Sequence, residues 1–327
     1  MKVVIIGGVA GGATAAARIR RLDEQAEIVV LERSGYVSYA NCGLPYYIGG
    51  VIEDREELTL QTPESFWNRF RIDVRVAHEA TAIDPAGKTV TVKNLRTGEI
   101  VTETYDKLLL SPGAKPIQPP LPGMDSPSLF TLRTVEDTLA IRAFVEQHKP
   151  RRAVMAGGGF ISLEVAENLA DLGVKVTIVQ RLSHLMPPLD YDMASFVHNH
   201  LREKGVDLLL DTAVSGFAQE GEIITTQIEG GEPLPAELAI LAMGVAPETT
   251  LAKEAGLTLG QRGSIAVNDR METSHPDIYA VGDAAEITHL VTGEKTLIAL
   301  AGPANKQGRV AADNICGGDS RYRGAQG

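Results

Sequence analysis

Only two cysteines, Cys42 and Cys316, and a single tryptophan occur in 327 residues, and aromatic residues make up 5%. Two thiols in a chain this long argue against a disulfide framework and for a reducing compartment, the cytoplasm being the expected location. They stand far apart in the chain, so no local dithiol pair exists and any disulfide that Cys42 forms with a small molecule is a mixed one. Basic residues are in deficit, 31 Lys and Arg against 42 Asp and Glu, for a net charge of −11. Nothing in that balance suggests a nucleic-acid groove or an anionic membrane surface, both of which need clustered cations. Long apolar runs are missing as well. The opening MKVVII gives way to Gly7, which fits neither a signal peptide nor a membrane span. No metal site is expected.

Glycine, by contrast, is plentiful, at 33 residues, and many glycines fall in tight clusters. Hydrophobic content of 44% and charged content of 22% are ordinary for a globular protein, and the length suits about two domains. One pattern appears twice. Residues 3–6 (VVII) form a β-branched run of the kind a buried parallel strand needs, followed by GGVAGG (7–12), an Ala-rich helix to about Leu22, and a strand Ile28 to Leu31 ending at Glu32. Residues 153–156 (AVMA) lead into GGGFIS (157–162), a helix through about Leu172, and a strand Lys175 to Val179 ending at Gln180. Each copy reads as the phosphate-binding unit of a doubly wound α/β sheet: glycine permits a tight turn and close backbone approach, and the helix N terminus offers N–H donors. The alternative for either copy alone is a plain tight connection. Glu32, about 20 residues past the turn, suits ribose hydroxyls; its alternative is a solvated strand-end carboxylate.

Between the copies, residues 113–123 are too rich in proline for a helix or a central strand and read as an interdomain connection. Residues 274–283 (SHPDIYAVGD) put a short apolar strand before Gly282-Asp283, with Asp283 expected to open a helix where ligands dock on an open sheet, or to be a plain N-cap. Cys42 lies in SYANCGLPY (38–46), with a short helix expected from Gly43 onward.

Together these segments resemble the pyridine nucleotide–disulfide oxidoreductase family of flavoproteins, and most closely its single-cysteine branch of coenzyme A-disulfide reductases and NADH-dependent persulfide reductases. The resemblance runs over essentially the whole chain, through GGVAGG (7–12), SYANCGLPYY (38–47), LLLSPGAKP (108–116), GGGFISLE (157–164), AMGVAP (242–247), TSHPDIYAVGD (273–283) and LAGPANKQGR (300–309). It implies two Rossmann-like domains, the second inserted into the first: an FAD domain of residues 1–115 and 245–327 and an NAD(P)H domain of residues 116–244. FAD contacts are implied for Gly7, Ala10, Gly11, Gly12, Glu32, Arg33, Asn41, Cys42, Ala80, Ser111, Gly113, Arg133, Gly282, Asp283 and Ala301. Nicotinamide-nucleotide contacts are implied for Gly157, Gly158, Gly159, Phe160, Ile161, Glu164, Gln180, Arg181 and Gly244. Phe160 stands where the family usually has a tyrosine covering the nicotinamide pocket.

The resemblance further implies that hydride passes from NADH or NADPH through FAD to Cys42, the catalytic residue, which as a thiolate attacks a CoA disulfide or a persulfide. The alternative for Cys42 is an inert core thiol; Cys316, near a helix end, fits that structural role better. A CoA site is implied at Thr14, Arg18, Arg21, Ser38 and Asn41, with Asn305 nearby, Arg18 standing where a relative has a neutral amide. A solvated basic helix face, Arg20 included, is the other reading. The oxidase and peroxidase branches carry a histidine where this chain has Ala10, which favours a thiol cycle over oxygen or peroxide reduction. Gln180 replaces a carboxylate that would bind ribose hydroxyls, and Arg181 follows it, so both NADH and NADPH stay open. Family members continue into an interface domain that makes a homodimer; that domain is expected to be missing here. An NADH oxidase or peroxidase, and a flavin redox carrier with a protein partner, are the competing functions.

Overall fold

The computed structural model describes residues 1–326. Its contacts divide the chain into two compact units, one of residues 1–39, 59–115 and 246–327, the other of residues 40–58 and 116–245. Eight α-helices occur among the described residues: α1 (Ala10–Leu22), α2 (Leu44–Ile48), α3 (Pro63–Phe70), α4 (Val135–His148), α5 (Phe160–Asp171), α6 (Tyr191–Glu203), α7 (Thr250–Glu254) and α8 (Ala301–Ile315). None of them is long and apolar enough to cross a membrane.

The first unit is built on a five-stranded parallel sheet. Its order is Ile278–Ala280, Lys107–Leu110, Lys2–Ile6, Glu27–Glu32, Asp73–Val76. Val3, Val4 and Ile5 are fully buried, as a strand covered on both faces requires. Helices α1 and α8 lie against each other over small residues: a Cβ on Gly308 would fall 2.5 Å from the carbonyl oxygen of Gly11. A three-stranded antiparallel sheet (His78–Asp84, Thr89–Asn94, Ile100–Thr104) precedes the strand at Lys107.

The second unit repeats this plan. Its parallel sheet runs Asp207–Leu209, Lys175–Val179, Arg152–Ala156, Leu238–Leu241, Leu129–Phe130, and an antiparallel trio (Val214–Glu220, Ile223–Ile228, Leu234–Ala236) precedes the strand at Leu238. Residues 40–58, which carry Cys42, belong to this unit, where α2 packs on α4 and α5. Helix starts differ in a telling way. Thr62 with Ser65 and Thr134 with Asp137 close α3 and α4 with reciprocal capping boxes; α1 and α5, which follow the two glycine turns, are among the six helices whose starts no side chain caps. Their first N–H groups are therefore left to a partner other than the protein's side chains.

Candidate active site

In the first unit the glycine turn is shaped by close backbone approach. Gly7 has φ +96°, and a Cβ there would stand 2.0 Å from the carbonyl oxygen of Ser111. A Cβ on Gly12 would stand 1.9 Å from the oxygen of Gly7, and one on Gly11 would meet Ser111 Oγ at 2.8 Å. Ala10, Gly11 and Gly12 form the first turn of α1. Glu32 is 8% exposed, and its two carboxylate oxygens accept one hydrogen bond each, from Gly8 N–H (2.9 Å) and Ser34 N–H (2.9 Å). Each oxygen keeps acceptor capacity for a hydroxyl.

Ser111 and Gly282 close the cradle. Gly282, with φ +79°, donates its N–H to Gln307 Oε1 at 2.6 Å, and Gln307 is buried on α8. Asp283 does not open a helix. It stands in a 3₁₀ turn, Gly282–Ala284, because the left-handed Gly282 starts the turn and Ala285 returns to extended backbone. Arg33 pairs with Glu248 at 3.8 Å; Gly113, at φ +74°, accepts from Glu248 N–H; Ala80 is buried in the antiparallel sheet. Ala301 begins α8, which thus starts ahead of Gly302-Pro303. An uncapped helix start behind a turn too close for side chains, with a buried carboxylate at the neighbouring strand end, suits the pyrophosphate and ribose of FAD.

Three of the implied CoA residues of this unit are already engaged. Thr14 Oγ1 donates to Asn305 Oδ1 (2.8 Å), and Arg18 pairs with Asp313 (2.8 Å). Arg20 is no part of a free basic face: its guanidinium donates to the carbonyls of Phe70, Asp23, Glu24, Ala26 and Arg71. Arg21 is exposed at the end of α1, and Ser38 has φ +50°.

The second unit reproduces the turn. Gly157 has φ +119°, and a Cβ there would meet the oxygen of Ala242 at 2.2 Å, the counterpart of Gly7 against Ser111. Gly159 caps α5 with backbone alone; Phe160, 62% exposed, and Ile161 form its first turn. Gln180, 8% exposed, occupies the place of Glu32, and Arg181 beside it is exposed. Gly244, at φ +103°, accepts from Ile117 N–H. Arg133 also lies in this unit, its N–H donating to Asp137.

Asn41, Cys42 and Gly43 form a 3₁₀ turn that runs directly into α2, so Cys42 precedes a short helix as the sequence suggests. Cys42 is exposed. Arg142 of α4 holds this segment, donating to the carbonyls of Tyr47 (3.0 Å) and Ile52 (3.3 Å) with its guanidinium 4.2 Å from the Tyr47 ring centre. Gly49 lies so close to buried Asn168 of α5 that a Cβ would stand 2.1 Å from Asn168 Oδ1. Burial, then the charges of Glu167, Glu164 and Cys42, raise the Tyr46 phenol above its ordinary 10.0. Burial, then Glu167, raises the Glu164 carboxyl. Cys316 is different: it is partly buried at the end of α8, and desolvation with Asp23 and Asp313 pushes its thiol up.

Sequence reasoning missed Arg142, Asn168, Glu167 and Gln307. Only Asn168 carried a usable signal, an amide one helical turn past Glu164 on the same face. No group of three or more His, Cys, Asp or Glu side chains among the described residues is arranged to hold a metal ion.

Comparison with known proteins agrees with this geometry. A coenzyme A disulfide reductase of Staphylococcus aureus (strain JH9) is 37% identical over 319 residues, covering 98% of this chain and 71% of that protein. The reduced CoADR-RHD of Bacillus anthracis superposes with a TM-score of 0.96 at 49% identity, over 99% of this chain and 58% of that one. A NAD-dependent persulfide reductase from A. fulgidus gives 0.95 at 39% identity, over 99% and 61%. The chain thus spans less than two thirds of those two solved chains. Residues 1–308 match the family described as pyridine nucleotide-disulphide oxidoreductase, and the chain belongs to that family.

Proposed function

We propose that the chain is an NAD(P)H-dependent flavoprotein reductase of CoA disulfide, CoA persulfide or a related persulfide, working in the reducing cytoplasm, with Cys42 as the redox-active sulfur. The contrast between its two thiols carries this reading: Cys42 is exposed on a turn anchored to α4 and α5, whereas Cys316 is packed at a helix end among carboxylates. Residues 7–12, Glu32, Ser111 and Gly282-Asp283 would hold FAD, and residues 157–161 the nicotinamide nucleotide. Bound FAD would supply two-electron transfer between NAD(P)H and sulfur, which no side chain of the protein can perform.

The chain's own part is nucleophilic. Cys42 as thiolate attacks one sulfur of the disulfide, a new S–S bond forms, and the other half leaves as a thiolate. Two electrons and a proton then cleave the mixed disulfide, freeing the second thiol and restoring the Cys42 thiolate. Since Arg18 is engaged by Asp313, Arg21 is the cation on α1 left for a CoA phosphate.

The test is anaerobic stopped-flow of the FAD-loaded protein. Two-electron reduction should bring up a long-wavelength thiolate-to-flavin absorbance, and CoA disulfide should discharge it. Cys42→Ser should keep flavin reduction by NAD(P)H while losing both the band and disulfide-dependent turnover. Wild-type turnover in Cys42→Ser would overturn the proposal.

A further inference from the structure

The two glycine turns form an internal comparison in which the backbone hydrogen bonds match while the side chain at the neighbouring strand end changes. Gly7 N–H donates to Leu31 O, and Gly157 N–H to Val179 O, at 2.8 and 2.9 Å. Ser38 N–H donates to Gly8 O, and Met186 N–H to Gly158 O, at 2.9 and 2.8 Å. Both donors are in the left-handed region, Ser38 at φ +50° and Met186 at φ +54°. Glu32 and Gln180 therefore stand at matching places, each 8% exposed at the end of the strand beside the turn.

Their chemistry diverges. The Glu32 carboxylate accepts from two backbone N–H groups, and the following Arg33 lies 3.8 Å from Glu248, a carboxylate that Lys115 also pairs at 3.2 Å. In the second turn no carboxylate is present at the strand end. The Gln180 amide folds over Gly158, whose Cβ would stand 3.1 Å from Gln180 Cδ, and donates to the carbonyl of His184. Arg181 is exposed, and among the described residues it makes no hydrogen bond or ion pair. The loop's other polar groups are Ser183 and His184, whose Nδ1 lies 2.9 Å from Leu185 O. His198, buried under the loop, accepts from Leu185 N–H. One carboxylate lies close by: Asp211, whose backbone N–H donates to Leu182 O.

We propose that this loop selects a nicotinamide dinucleotide bearing a 2′-phosphate, so that NADPH is the preferred reductant, with Arg181 as the specificity-determining cation. The proposal rests on the reading of residues 157–161 as the nicotinamide-nucleotide turn. A carboxylate at position 180 would attract ribose hydroxyls and repel a 2′-phosphate. A neutral amide removes the repulsion, and an unpaired guanidinium offers the planar, bidentate donors that phosphate geometry matches.

The experiment is calorimetric titration of the FAD-loaded chain with 2′,5′-ADP and with 5′-ADP, which needs no turnover. A charge-assisted hydrogen bond to phosphate supports about a tenfold or larger preference for 2′,5′-ADP. Arg181→Ala should abolish the preference without changing the melting temperature. Arg181→Lys should restore part of it, and Gln180→Glu in the Arg181→Ala background should reverse it. The preference should also shrink as salt is raised. Equal binding of the two nucleotides, or a preference that survives Arg181→Ala, overturns the inference. A kept preference with no disulfide turnover would instead sink the proposed reductase function and leave this inference standing.

Discussion

Replacing Arg142 with alanine should loosen the segment that carries Cys42 while leaving the rest of its unit folded. The guanidinium, on a half-buried side chain, donates to the carbonyls of Tyr47 and Ile52 and covers the Tyr47 ring. Hydrogen bonds from a charged donor contribute about 1.5–3 kcal/mol each, and a partly exposed cation–π contact about 0.5–1 kcal/mol. The remaining contact, with Glu146, adds little because that carboxylate is 64% exposed. Both carbonyls can recover water once the side chain is gone, which cuts the sum to roughly 2 kcal/mol, or about a thirtyfold rise in the open population. Hydrogen exchange reads this directly. The N–H groups of Gly49, Gly50, Val51 and Ile52, each bonded within the segment, should exchange about thirtyfold faster. Those of the central strand Arg152–Ala156 should keep wild-type protection. If both sets accelerate together, or neither does, Arg142 does not clamp this segment.

Two further perturbations test the glycine turn and the ion pairs of Asp277. Gly12→Ala places a Cβ 1.9 Å from the Gly7 oxygen, a backbone collision that only reshaping the turn can relieve. Purified protein should carry far less flavin by its absorbance ratio and be less stable by about 1–3 kcal/mol; full flavin content would refute a flavin-holding role for this turn. The Asp277 carboxylate is bonded by Lys107 and Lys88, which hold its pKa down to about 2 from 3.8. Its folded value lies below its unfolded value, so this stabilisation is present above about pH 4 and lost as pH falls toward 2. Asp277→Asn should flatten the urea midpoint between those limits; a slope as steep as wild type would refute the pairing.

What the sequence made legible was what local chemistry encodes. A β-branched run ahead of clustered glycines can be little other than a buried strand entering a tight turn, and both turns lie where GGVAGG and GGGFIS suggest. What could not be read was commitment to a partner. Arg18 and Arg20 look like free cations on a basic helix face, yet one is matched by Asp313 and the other binds five carbonyls. Neither assignment is visible until α1 meets α8 and the 70–71 loop. Asp283 read as a helix opener because an apolar strand before Gly-Asp usually leads into one; the left-handed Gly282, bonded to a buried Gln307 from α8, makes the turn stop after three residues. Residues 40–58 pack with the unit of the second turn for the same kind of reason. Their anchors, Arg142 and Asn168, sit far along the chain, and of the two only Asn168, one helical turn past Glu164, carries any signal in its own sequence.

The two turns also separate what backbone and side chain decide. The first two glycines of each turn, the strand registers and even the left-handed donors at Ser38 and Met186 coincide, so a close backbone approach at the turn is written twice by the same rules. The ligand preference proposed for each turn rests on the residue at the strand end and on whether the arginine after it has a carboxylate near it. In the first turn the pair is Glu32 with an Arg33 that lies 3.8 Å from Glu248; in the second it is Gln180 with an Arg181 that has no carboxylate partner among the described residues. Fold-level likeness to relatives is blind to that difference, because it leaves every strand and turn in place. Exchanging the strand-end residues alone should therefore move nucleotide preference without moving the fold. The double variant Glu32→Gln and Gln180→Glu tests this: it should keep the far-ultraviolet circular dichroism of the wild type while weakening flavin retention and the preference for 2′,5′-ADP. A changed spectrum would mean that these side chains help to set the turn itself.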